Sequence, residues 1–107
     1  MSLTITRPTT LKARLDADEP VFLLDVREGW EFEHGHLAGA HHIPMGEITS
    51  RLDELPEDRP VVCICHHGMR SEQVARYLLQ QGRSGVENLQ GGMDAWSVEV
   101  DPAIPRY

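Results

Sequence analysis

The stretch Pro60-Val61-Val62-Cys63-Ile64-Cys65-His66-His67-Gly68-Met69-Arg70-Ser71 decides how this chain is read. Its first half is a continuous apolar, β-branched run, the pattern of a strand covered on both faces. Its second half is polar, contains a glycine, and leads into a segment from about Ser71 to Gln81. There Val74, Leu78 and Leu79 recur at helical spacing, and Gly82 marks the stop. Cys65 therefore falls where a buried strand ends and a helix is about to begin. Backbone N–H groups can converge at such a turn, and the helix N-terminus adds partial positive charge. A thiol placed there is biased toward thiolate, the form that reacts. Gly68 permits a loop conformation that a side chain would forbid. Arg70 closes the loop with a planar cationic fork suited to an oxyanion.

Outward from this segment, strands and helices alternate. Thr4-Ile5-Thr6 reads as a short strand, and Pro8-Thr9-Thr10 as a helix start followed by inward Leu11 and Leu15. Val21 to Val26 is a second near-continuous apolar strand. Glu28 to His34 reads as a short helix stopped by Gly35, Ala40 to Ile43 as a short strand stopped by Pro44, and Ile48 to Leu55 as helical. Val86 to Leu89 is a further strand, and Gly91 to Trp96 a turn into a short helix. Pro102 and Pro105 predict an extended tail over 98–107. The alternation predicts a single α/β domain over 1–107, core about 4–97. A mostly parallel central sheet would carry helices on both faces. Ligands in such sheets bind beyond the carboxyl ends of the strands, where Cys65 falls.

Composition narrows the function classes. The chain has 107 residues, enough for one modest core. Ten Lys/Arg against seventeen Asp/Glu give a formal charge of −7, which disfavours nucleic acid or an anionic membrane as partner. No apolar run approaches a membrane span, and no basic-then-apolar leader is evident, so export is not expected. The two cysteines are two positions apart, a poor geometry for a disulfide, so reduced thiols in the cytoplasm are expected.

Three blocks in order resemble the rhodanese-like sulfurtransferase family. The first runs Asp25-Val26-Arg27-Glu28, Glu31-Phe32, Gly35-His36-Leu37-Ala38-Gly39-Ala40 and Ile43-Pro44. The second is the Cys65 loop with Gly68, Arg70 and Ser71, and the third is Leu89-Gln90-Gly91-Gly92-Met93-Asp94-Ala95-Trp96. The resemblance implies a rhodanese-like fold and transfer of a sulfane sulfur from a donor such as thiosulfate to cyanide, a thiol or a partner protein. It implies a persulfide on Cys65 and no cofactor. A related group of phosphatases has one more residue between Cys and Arg. Here four residues, His66 to Met69, separate Cys65 from Arg70, a cradle sized for one sulfur atom. A phosphatase or arsenate-type reductase is the alternative enzyme, and a non-catalytic regulatory or binding module the alternative outside enzymes.

On this reading Cys65 is the nucleophile, and loop N–H groups from His66, His67, Gly68, Met69, Arg70 and Ser71 hold the persulfide anion. Cys63 is a small core residue inside its strand. Arg70 has a mainly structural role with electrostatic help. His66 and His67 occupy outer loop positions and are candidate donor contacts, with a pH-dependent charge. Asp25 is expected to accept loop N–H bonds and Arg27 to pair with a carboxylate such as Glu31. Gly39, Gly91 and Gly92 read as backbone-conformation residues, and Trp96 as core. His34, His36, His41, His42, His66 and His67 invite a metal reading, but no second ligand pair stands at zinc-site spacing, so no metal is expected.

Overall fold

The computed structural model describes residues 3–107; Met1 and Ser2, which open the expected 1–107 span, lie outside the described residues. Five strands, β1 (Thr4–Thr6), β2 (Phe22–Asp25), β3 (His41–His42), β4 (Val61–Ile64) and β5 (Val86–Leu89), form one sheet in the order β1-β5-β4-β2-β3. Every neighbouring pair is parallel. Helices α1 (Pro8–Asp16), α2 (Gly29–His34) and α3 (Met69–Gln80) lie between strands, and α4 (Gly92–Glu99) follows β5.

The strand pleat sorts the apolar runs into two cores. Along β4, Val61 and Cys63 point with Leu24, Val74, Ala75, Leu78 and Val86 to one face. Val62 and Ile64 point with Leu11, Leu23, Leu89, Met93 and Trp96 to the other. Each Val, Leu, Ile or Met among them, taken fully out of water, contributes about 1.5–3 kcal/mol of transfer free energy. Parallel strands need this two-sided cover, which is why β4 has no polar position. Leu24 lies beside Cys63 and Asp25 beside Ile64. The bond from Val26 N–H to the Ile64 carbonyl, 2.9 Å, carries the pairing one residue further. Arg27 and Cys65 thus emerge over the same sheet edge.

Local differences from the expected elements have physical causes. The segment expected as a helix over Ile48–Leu55 is instead two 3-10 turns, Met45–Ser50 and Leu52–Glu54, broken at Arg51. Gly46, Thr49 and Ser50 are weak helix formers, so no α-helix propagates. Helix α3 starts at Met69 rather than Ser71, because Gly68 takes φ +97° and turns the chain directly into it. Helix α4 continues past Trp96 to Glu99. The segment after it is not a free extended tail: Ile104 packs on the second core, and its carbonyl accepts the Ser97 hydroxyl at 2.6 Å.

Candidate active site

The Cys65 loop is held in shape from two sides. Below it, β5 contributes Asn88, whose amide donates to the Gly68 carbonyl at 3.0 Å and whose Oδ1 accepts the Ser71 hydroxyl at 2.5 Å. Beside it, the start of α4 supplies N–H groups: Met93 donates to the Cys65 carbonyl at 2.8 Å and Asp94 to the His66 carbonyl at 3.0 Å. This contact needs glycine at position 92, where φ is +60° and a Cβ would collide with both of those carbonyls. Gly68 has the same need: φ is +97°, and a Cβ would meet the Leu89 carbonyl and Gly91 N at 3.3 Å. Gly39 and Gly91 also adopt positive φ.

Inside the loop, the Gly68 N–H donates to Cys65 Sγ at 3.0 Å, and Ser71 Oγ lies 3.3 Å from the same sulfur. The serine has one proton and directs it to Asn88, so its oxygen can face a neutral thiol; a charged sulfur would draw the proton over. The first ladder bond of α3 runs from Glu72 N–H to the Gly68 carbonyl. The N–H groups of Met69, Arg70 and Ser71 precede that ladder and, as first-turn donors, have no acceptor within the helix. Hydrogen bonds and oriented dipoles of this kind stabilise negative charge on sulfur. Cys63 is free like Cys65, but burial, then the charge of Cys65, push its thiol up to about 12. Of the two thiols, it is the one chemistry cannot easily use.

Two ion pairs frame the loop, and they correct the expected pairing. Arg27 does not pair with Glu31. Its Nη2 reaches Asp25 Oδ2 at 2.7 Å and its Nε reaches Oδ1 at 2.9 Å, with both residues fully buried. Asp25 correspondingly accepts no loop N–H; its Oδ1 also takes the Arg27 N–H at 3.1 Å. Two positions apart at a strand end, the two side chains leave on the same face, and two buried charges must find each other. Glu31 pairs with Arg70 instead, through two bonds of 2.7 Å. Glu31 also closes the capping box of α2 by accepting the Glu28 N–H at 3.0 Å, so a helix start fixes the acid that fixes the loop. The Arg70 guanidinium, foremost, with the Glu28 N–H and Tyr107 hydroxyl, lowers the Glu31 carboxyl to about 2.

Tyr107 completes this frame, and the sequence reading missed it. Its hydroxyl accepts from Arg27 Nη1 at 3.0 Å and donates to Glu31 Oε2 at 2.9 Å. Burial pushes its phenol up, which keeps the proton in place for that bond. Its ring centre lies 4.1 Å from His66. His66 is half-buried, and its Nδ1 is a buried atom without a partner. Burial, then the neighbouring His67, push the His66 imidazole below its ordinary value, toward the neutral form. His67 is exposed, 3.9 Å from Asp94 Oδ2. His66, His67 and Asp94 offer donor atoms within 4.8 Å of one another. Both Asp94 oxygens, however, are engaged by Arg106 at 2.9 and 3.2 Å. Asn88 was also missed; a polar side chain in the middle of a buried strand was the available signal.

Comparison with known proteins identifies the family and the fold. The model of the rhodanese-like domain family matches residues 7–99. The Bacillus subtilis protein YtwF is 45% identical over 92 residues, covering 86% of this chain and 88% of that protein. A sulfurtransferase of Allochromatium vinosum is 43% identical over 95 residues, 89% of each chain. The crystal structure of a rhodanese-like domain protein from Staphylococcus aureus superposes with a TM-score of 0.85 at 30% identity, covering 98% of this chain and 99% of that one. With a five-stranded parallel sheet and a cysteine-bearing loop at its carboxyl edge, the chain belongs to the rhodanese-like domain family.

Proposed function

We propose that the protein is a sulfurtransferase that moves a sulfane sulfur from a donor such as thiosulfate to a thiophilic acceptor through a persulfide on Cys65. The Cys65 thiolate attacks the outer sulfur of thiosulfate. The new S–S bond forms as the old one breaks, and sulfite leaves with the bonding electron pair. Cyanide or a thiolate then attacks the terminal sulfur, and Cys65 departs as thiolate, ready for another turn. Electrons balance without an external oxidant, and one covalent intermediate divides the transfer into two steps. No cofactor is required. The acceptor is a small thiol, cyanide or a cysteine of a partner protein, and the cytoplasm would keep both thiols reduced.

The observation that carries this reading is the short cradle: four residues between Cys65 and Arg70, a loop N–H already on Sγ, and first-turn N–H groups of α3 beyond it. Arg70 argues against the phosphatase alternative, since both of its terminal nitrogens are committed to Glu31. A phosphoryl group with three oxygens would call on that fork. His66, with its unpartnered Nδ1, and the exposed His67 are candidate contacts for the donor's oxygens. The test is thiocyanate formation from thiosulfate and cyanide. The unaltered protein and Cys63→Ser should turn over, and Cys65→Ser should not. Turnover of an aryl phosphate that is lost in Cys65→Ser, with no thiocyanate, would replace this reading by the phosphatase one.

A further inference from the structure

Tyr107 lies against the Cys65 loop. Its ring lies against His66, the first residue after the nucleophile, at 4.1 Å. Its hydroxyl, at 2.9 Å, rests on the same Glu31 oxygen that receives Arg70 Nη2, and Arg70 is the residue that closes the loop. One side chain thus bridges the beginning and the end of the Cys65–Arg70 segment. Both capacities of the hydroxyl are used in complementary senses, accepting from Arg27 and donating to Glu31, so its position is fixed. His34 and Trp30 hold the ring edge-on, at 5.1 and 5.4 Å. The residues leading to it are anchored as well: Arg106 binds Asp94, and Ile104 binds Ser97. Tyr107 and this anchored segment form a strap beside the loop, and Cys65 is only 1% exposed.

We propose that Tyr107 is a specificity-determining residue: it narrows the entrance to Cys65, so that slender species such as thiosulfate and cyanide pass while bulky thiols must displace the strap. The inference rests on Cys65 being the reactive thiol of the proposed function. It adds which substrates the site prefers, through a side chain outside the loop. Displacement breaks two charge-assisted hydrogen bonds and the tilted ring contact with His66, so it is a barrier a large reactant meets and a small one avoids.

The strap is tested by chemistry that does not require sulfur transfer. In a Cys63→Ser background, Cys65 is alkylated with iodoacetamide and, separately, with fluorescein maleimide. Tyr107→Ala should raise the maleimide rate about tenfold while the iodoacetamide rate changes by less than about twofold. Tyr107→Phe, which keeps the ring and loses the hydroxyl bonds, should fall between. A general loosening, or a change in thiolate fraction, would move both reagents together, and an unchanged ratio of the two rates in Tyr107→Ala overturns the proposal. In turnover, the same variant should raise kcat/KM for glutathione relative to cyanide. An unchanged glutathione-to-cyanide ratio of kcat/KM would also overturn it. Absence of any sulfur transfer by the unaltered protein would remove the proposed function, and the alkylation ratio would still decide the strap.

Discussion

Replacing Glu31 by Gln removes one charge while keeping shape and most of the packing, and its consequence can be calculated from the geometry. Glu31 accepts two bonds from Arg70 at 2.7 Å, one from Tyr107 at 2.9 Å and one from the Glu28 N–H at 3.0 Å. These partners, Arg70 first, hold its carboxyl at about 2 against an ordinary 4.5. At 1.36 kcal/mol per pH unit, that difference corresponds to about 3 kcal/mol in favour of the folded state. The Arg70 side chain is 35% exposed, and solvent weakens its share. An effect of about 1–2 kcal/mol at neutral pH is therefore expected. The sign follows from a depressed carboxyl: the contribution is complete above pH 4.5, declines as pH falls, and is gone below about 2. Urea unfolding of both proteins, followed by tryptophan fluorescence, should show Glu31→Gln less stable at neutral pH, with the gap closing as pH falls from 4.5 toward 2. Other carboxylates titrate equally in both proteins and cancel. A gap that stays constant across that range, or no gap at neutral pH, refutes the reasoning.

Three further outcomes are expected. Gly92→Ala should destabilise the protein by about 2 kcal/mol or more in urea unfolding, because its Cβ meets the Cys65 and His66 carbonyls at positive φ, whereas Gly29→Ala, with no atom within 4 Å, should stay within about 1 kcal/mol. Asn88→Ala should cost about 0.5–1.5 kcal/mol by removing one of the two hydrogen bonds to the Gly68 carbonyl, which keeps the Glu72 N–H, and should slow thiocyanate formation by freeing the Ser71 hydroxyl. Because burial pushes the Cys63 thiol up to about 12, iodoacetamide in mildly alkaline buffer should add one group to the native protein, at Cys65 by peptide mapping, and a second only in denaturant.

The elements that were legible in the sequence are those with a strong one-dimensional pattern. The β2 and β4 runs are apolar without interruption because a parallel sheet is covered on both faces, and nothing else in the chain looks like them. Cys65 could be placed at a strand end because the apolar run stops there and a helical period begins. What could not be read depends on pairing across distance. Whether Arg27 takes Asp25 or Glu31 is decided by two charges being buried together, which spacing does not reveal. Asn88 looks like one polar residue in a strand until the Gly68 carbonyl is seen above it. Pro102 and Pro105 announce an extended tail, but the docking of Ile104 and Tyr107 rests on partners far upstream in the chain, among them Gly35, Arg27 and Glu31. The 3-10 turns after β3 failed as a predicted helix for a local reason, too few good helix formers in a short segment.

Whether Cys65 carries the transferred sulfur is decided by the intact mass of the protein after incubation with thiosulfate. The protein should gain one sulfur atom, about 32 Da, and cyanide or dithiothreitol should remove it. The gain should persist in Cys63→Ser and be absent in Cys65→Ser. No added mass in the unaltered protein, or a gain that survives in Cys65→Ser and vanishes in Cys63→Ser, would contradict it.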